Sequence, residues 1–272
     1  MTNIYNITYY TNDNSVYILF KGCNFHCKGC YIKDSVVDYH LPDDVKRRLR
    51  MARNFNPLTL GQFKDVFEDI LKKFDVKEAV LGGEEPTLDT ELLNVIDVLT
   101  QFGIRTLLTT NGSNLNEKII EKLEEVGLSS VRVSIKAYDE NIHKVYTGQT
   151  NKQVLNNFKL LANSQIKLSA ESILILGLVE YGEIERIAKF IANIDPAIPY
   201  RIDGFMPFHK APWRSPFPEE VIMAAEIAKR YLKNVEYLHC KVVSGKREVI
   251  NIYPVREDYF SLYSGKILEN KM

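Results

Sequence analysis

From Thr59 onward the chain alternates between stretches of helical period and short apolar runs, and that alternation restricts it to α/β architectures. Thr59 and Gln62 make a capping box ahead of Phe63, Val66, Phe67, Ile70, Leu71 and Phe74, which recur at helical spacing. Strands are expected at 78–81, 104–108, 131–135, 167–176 and 200–205, and helices at 91–102, 117–126, 140–146, 152–163, 183–194 and 218–232. Gly103 and Gly127 stop two of those helices. Ahead of the series, residues 4–10 and 16–20 are rich in Ile, Tyr, Val and Phe and flank the turn Thr11-Asn12-Asp13-Asn14, which reads as a hairpin. Counting from strand 16–20, six strands with helical crossovers imply a parallel sheet with right-handed connections. Such a sheet curls into a partial (β/α)6 TIM-like barrel with an N-terminal hairpin strand, assigned to residues 1–235. Residues 236–272, with Val242-Val243-Ser244-Gly245-Lys246 between two apolar runs, read as a small C-terminal β-hairpin extension packed on the same domain.

Charge says little about partners. The 35 basic and 35 acidic residues cancel, so no global field draws the molecule to nucleic acid or anionic lipid. No run of eighteen apolar residues occurs and the first residues lack a signal pattern, so a cytoplasmic protein without a membrane partner is expected. One local exception follows Pro42: Asp43 and Asp44 precede Lys46, Arg47, Arg48, Arg50 and Arg53, a helix pattern in accord with the macrodipole. Those bases are either a solvated face or a site for a phosphate or acidic partner.

Three of the four cysteines, Cys23, Cys27 and Cys30, lie within eight residues directly after strand 16–20. That is the C-terminal strand end, where α/β sheets and barrels hold ligands. Three thiolates are one short of the set that fills a structural zinc or cubane iron–sulfur site, so a [4Fe-4S] cluster here would keep one iron open. Zinc with His26, His40 or Cys240 as fourth ligand is the alternative, but no second half of a zinc motif is present. A disulfide is disfavoured, because the chain shows no secretory signal and three clustered thiols leave one unpaired. Other strand ends are polar too. Gly82-Gly83-Glu84-Glu85-Pro86 follows one, Thr109-Thr110-Asn111-Gly112 the next, and Ser134-Ile135-Lys136 a third, with Ser134 and Lys136 on one face. Taken singly, each is an ordinary turn.

In this order the motifs resemble those of the radical S-adenosylmethionine (radical SAM) enzymes, and among them the pyruvate formate-lyase activating enzyme group. Asp139-Glu140-Asn141-Ile142-His143-Lys144, Tyr146-Thr147-Gly148 and Met206-Pro207-Phe208-His209 strengthen the likeness. The resemblance implies that Cys23, Cys27 and Cys30 bind three irons of one [4Fe-4S] cluster while the amino and carboxylate groups of S-adenosyl-L-methionine (SAM) chelate the fourth. One electron, from a donor such as ferredoxin or flavodoxin, would then split SAM to methionine and a 5′-deoxyadenosyl radical that takes hydrogen from the substrate. It further implies that Gly82, Gly83 and Glu84 hold the SAM amino group and that Asn111 belongs to a cofactor-binding TNG element. By the same pattern Ser134 and Lys136 contact ribose and carboxylate, Glu171 and Ile173 face ribose and adenine, and His209 touches the adenosine side. The chain departs from the group at Gly29, where an aromatic usually packs on the adenine, leaving Phe25 or Tyr31 for that place. It departs also at Thr109 and Ser134, where activases carry aspartates. The substrate is expected to be a glycyl-radical protein or a small anionic metabolite held by Lys46 to Arg53. Cys240 alone cannot bind an auxiliary cluster. A non-catalytic metal-binding or regulatory module on the same scaffold is the competing reading, and an anaerobic host suits an exposed cluster.

Overall fold

The computed structural model describes residues 1–33, 37–51, 57–208, 211–239 and 248–254. Strands β1 (Ile4–Tyr10) and β2 (Ser15–Phe20) form the expected antiparallel hairpin. The chain then runs through α1 (Asp43–Met51), α2 (Leu60–Lys73), β3 (Glu78–Gly83), α3 (Leu92–Gln101), β4 (Arg105–Thr110), α4 (Glu117–Glu125) and β5 (Ser130–Ser134). It continues with α5 (Glu140–Thr147), α6 (Lys152–Ala162), β6 (Lys167–Leu174), α7 (Tyr181–Ala192), β7 (Tyr200–Gly204), α8 (Pro218–Lys229), β8 (Val235–Leu238) and β9 (Val249–Tyr253). From β2 to β8 each strand pairs in parallel with the next, so the sheet grows in sequence order. Its order is β8-β7-β6-β5-β4-β3-β2-β1-β9, which leaves the two ends unjoined and the barrel partial.

The tail differs from expectation. The two described strands that flank 242–246 do not pair with each other: β8 extends the parallel sheet beside β7, and β9 runs antiparallel to β1 at the opposite edge. The residues proposed as the turn of that hairpin lie outside the described residues. With one strand on each side, both β7 and β1 gain a hydrogen-bonded partner.

Local chemistry explains the individual elements. Thr59 Oγ1 accepts from Gln62 N at 3.2 Å and Gln62 Oε1 accepts from Thr59 N at 2.9 Å, closing the capping box of α2. That helix buries Phe63, Phe67 and Ile70, each worth roughly 1.5–3 kcal/mol when fully removed from water. Asp139 caps α5 through Asn141 N and Ile142 N, and the helix stops at left-handed Gly148. Along the strands, alternation separates two faces. Val16, Ile18, Ala79, Leu81, Leu108, Val131, Val133, Ala170, Leu174 and Ile202 join the core beneath the helices. Their neighbours Tyr17, Gly82, Thr109, Arg132, Ser134, Glu171, Arg201 and Asp203 consequently take the inner face.

After the cysteine loop the chain folds back over that inner face. Val45 and Leu49 of α1 pack with Val37, Leu41, Val249, Tyr10 and Tyr17 in a second, smaller core. Among the described residues no helix is long and apolar enough to cross a membrane.

Candidate active site at the cysteine loop

The loop leaves β2 at Phe20 and is held from three sides. Glu84 N donates to Phe20 O at 2.9 Å, Gly22 N to Glu84 Oε2 at 2.6 Å, and Glu85 N to Gly22 O at 2.9 Å, so the end of β3 clamps the loop's first residues. Asn24 reaches the turn after β4: its Oδ1 accepts from Asn111 Nδ2 and its Nδ2 donates to Ser113 Oγ, both at 2.8 Å. On the far side His26 N donates to Thr147 O at 2.8 Å and Lys28 N to Tyr146 O at 2.9 Å, satisfying carbonyls at the C-terminal end of α5. Phe25 is buried edge-on against His143, with ring centroids 5.5 Å apart. Left-handed Gly29 sits on the Phe205 ring, where an added Cβ would lie 2.9 Å from its Cζ. Tyr31 stays 46% exposed beside Phe208, so of the two aromatics that could replace the missing one, Tyr31 is the accessible one.

The three cysteines are free, half-buried thiols. Burial pushes the Cys27 thiol up to about 11; Lys136 opposes the shift, while Cys30 and Cys23 reinforce it. Burial also raises Cys23, although the Phe25 N–H bonded to its Sγ at 3.3 Å works the other way. Burial and mutual repulsion both favour the protonated thiols, and a bound metal would displace those protons and stabilise the thiolates. Among the described residues no three Cys, His, Asp or Glu side chains converge on a single ion. A cubane, which takes one thiolate per iron, does not require them to. His40, one candidate fourth zinc ligand, has its Nδ1 engaged by Asp38 at 3.1 Å and Tyr10 at 2.8 Å. Cys240 lies outside the described residues, as does His209.

The glycine pair makes the clamp possible. A Cβ on Gly82 would lie 2.5 Å from Thr109 Oγ1, and one on Gly83, whose φ is +100°, 2.8 Å from both N and O of Phe20. Beneath this turn Glu85 is buried and accepts from Thr110 Oγ1 at 2.6 Å, Asn111 N at 2.7 Å and the hydroxyl and N–H of Thr87. Burial raises its pKa against the pull of these bonds. Glu85 therefore ties the glycine turn to the Asn111 turn, a role that its neighbour Glu84 obscures in the sequence.

Ser134, Glu171 and Arg201 share one row across β5, β6 and β7. Ser134 Oγ donates to Glu171 Oε1 at 2.5 Å, and Arg201 Nη2 donates to Glu171 Oε2 at 2.9 Å and Asp203 Oδ2 at 2.8 Å. Burial works against the Glu171 carboxylate, yet Arg201, Lys136 and Ser134 together hold its pKa below the usual range. For Asp203, burial and the nearby Glu171 outweigh Arg201 and push the pKa up to about 6. Ile173 pairs with Asp203 in the next row, and Lys136 follows β5 half-buried. Lys136 forms no hydrogen bond or ion pair among the described residues, while its charge reaches both Cys27 and Glu171. The sequence reading missed Arg201, Asp203 and Asn24. The spacing of Arg201 and Asp203, two charges on alternate positions of a strand otherwise apolar, was the available signal.

Of the bases in α1, Lys46 pairs with Asp43 at 2.8 Å and Arg48 with Asp44, so two are neutralised within their own helix. Residues 52–53 lie outside the described residues.

With the site assembled, comparison with known proteins settles its kinship. A family model of the radical SAM superfamily matches residues 17–191, more than half of the 272. The chain belongs to the radical SAM superfamily. It is 28% identical over 234 residues to a glycyl-radical enzyme activating enzyme homologue of Methanocaldococcus jannaschii, covering 84% of this chain and 82% of the relative. In fold it resembles a crystal structure of a domain of pyruvate-formate lyase-activating enzyme from Bacteroides vulgatus. There the TM-score is 0.52 at 20% identity, over 60% of this chain and 99% of that one. Streptococcus suis SuiB bound to S-adenosylmethionine gives a TM-score of 0.62 at 13% identity, over 89% of this chain and 52% of that structure. The protein is thus a radical SAM enzyme, and membership implies an iron–sulfur cluster and SAM.

Proposed function

We propose that Cys23, Cys27 and Cys30 hold one [4Fe-4S] cluster and that the surrounding strand ends bind SAM at its open iron. The observation that carries this is the clamp: a glycine pair with no room for side chains sets Glu84 directly against the loop that bears the three thiols. When bound, the reduced cluster and SAM supply a 5′-deoxyadenosyl radical that abstracts hydrogen from a substrate. The protein's part is positioning and electrostatics. Glu84 presents its remaining acceptor capacity to the SAM ammonium, and Lys136, a half-buried cation without a partner among the described residues, attracts the SAM carboxylate. Asn111 locks the loop through Asn24, while Ser134, Glu171 and Ile173 line the inner face toward the ribose and adenine. His209 would supply an adenosine contact. Phe25, Tyr146 and Phe205 form the dry side of the loop.

An electron donor of the ferredoxin or flavodoxin kind is required. The activating-enzyme relative supports a protein substrate, as does the precursor peptide SuiA bound to SuiB in another structure of similar fold. The inner-face cation Arg132 supports a small anionic molecule instead. Anaerobically reconstituted protein, reduced with dithionite and given SAM, is expected to release 5′-deoxyadenosine, and Cys27→Ala to release none. Protein that carries iron and sulfide yet never cleaves SAM would leave the non-catalytic reading in place.

A further inference from the structure

Strand β1 contains a bulge between Ile4 and Asn6, opposite the last residues of β2 before the cysteine loop. Ile4 and Ile7 both enter the core beneath the helices, so the two residues between them, Tyr5 and Asn6, are both kept off that core. Asn6 uses its place to bond Asp38 N at 2.7 Å, Asn251 Oδ1 at 2.8 Å and Tyr253 O at 2.6 Å. Tyr5 does nothing comparable. The residue is 8% exposed, and its hydroxyl is wholly buried without a hydrogen-bond partner among the described residues. Its backbone lies opposite Leu19 and Phe20, the residues that lead into the cysteine loop and that Glu84 N clamps at Phe20 O, and burial pushes its pKa far up. Of the nearby carboxylates, Glu84 accepts from Gly22 N and Asp38 from Thr8, Tyr10 and His40, and neither accepts from the phenol. Bulges re-aim side chains beside active sites, and a buried hydroxyl left without a partner is costly unless something not present fills the gap.

We propose that the Tyr5 hydroxyl donates a hydrogen bond to the anionic group bound at the cysteine loop, a sulfur of the cluster or the carboxylate of SAM. This rests on the cluster and SAM reading above. Wild type and Tyr5→Phe, reconstituted anaerobically, are compared in iron and sulfide content, cluster reduction potential without SAM, and SAM dissociation constant. A donor to the cluster predicts a potential lower in Tyr5→Phe by about 59 mV for each tenfold change in the reduction equilibrium. A donor to SAM predicts an unchanged potential and binding about tenfold weaker. Difluorotyrosine at position 5, a stronger donor, shifts the same quantity the opposite way and serves if Tyr5→Phe loads poorly. Tyr9→Phe, whose hydroxyl bonds Asn14 at 2.8 Å, moves neither quantity. Equal potential and equal SAM affinity in the Tyr5 variants overturn the assignment and leave the cluster reading intact. Wild-type protein that takes up no iron overturns both.

Discussion

Gly83→Ala is the perturbation the structure makes most explicit. The residue has φ +100°, and its added Cβ would lie 2.8 Å from the N and O atoms of Phe20, which are backbone and cannot rotate away. Holding a non-glycine residue in such a conformation costs about 1–3 kcal/mol, and overpacking a filled site costs about 1–3 kcal/mol more. The combined loss, roughly 2–6 kcal/mol, lowers Tm by roughly 4–24 °C for a chain near this size. Relief of the clash pushes β3 from β2, so the bonds from Glu84 N to Phe20 O and from Glu85 N to Gly22 O lengthen first. Iron loading should therefore fall along with stability. Gly61→Ala is the control, because nothing lies within 4 Å of a Cβ there and the residue is in the first turn of α2. It should be neutral or stabilising by up to about 1 kcal/mol. Thermal melts and iron assays of the two variants decide the matter: a Gly83→Ala protein that melts within 2 °C of wild type, by rough conversion under 1 kcal/mol, would refute the reasoning.

Asp203 carries a pH signature. Its folded pKa is raised from 3.8 to about 6, so the native state holds its proton longer than the unfolded chain. Stability should therefore fall as pH rises from about 4 to 6, by up to about 3 kcal/mol, and Asp203→Asn should remove that slope in urea titrations. Arg201→Met leaves Glu171 and Asp203 facing each other without their shared cation and should cost about 3–5 kcal/mol, partly recovered when Asp203→Asn is added. Thr59→Ala removes the cap of α2 and should cost about 1 kcal/mol without changing iron content.

Much of the architecture was readable because it is local. The α2 capping box, the glycines that stop helices and the alternation of strand with helix are signals within a few residues, and the elements from β1 to α8 lie within a few residues of their expected bounds. The cysteine spacing and the Gly82-Gly83-Glu84 turn were legible for the same reason. Contacts between separate strand ends were not. Asn24 meets Asn111, and Arg201 meets Glu171, only because the parallel register places those positions side by side. The placement of β9 against β1 was hidden too, since pairing across more than 230 residues of chain leaves no short-range pattern. Tyr5 escaped notice because a bulge breaks the alternation by which faces are read.

In the proposed site three thiolates leave one iron of the cluster open to SAM. Electron paramagnetic resonance of the dithionite-reduced, reconstituted protein, recorded before and after SAM is added, tests this directly. A reduced [4Fe-4S] signal that changes on SAM addition, and is lost in Cys23→Ala, Cys27→Ala and Cys30→Ala alike, is the predicted result. A protein that binds zinc, or a cluster whose signal is indifferent to SAM, would contradict it.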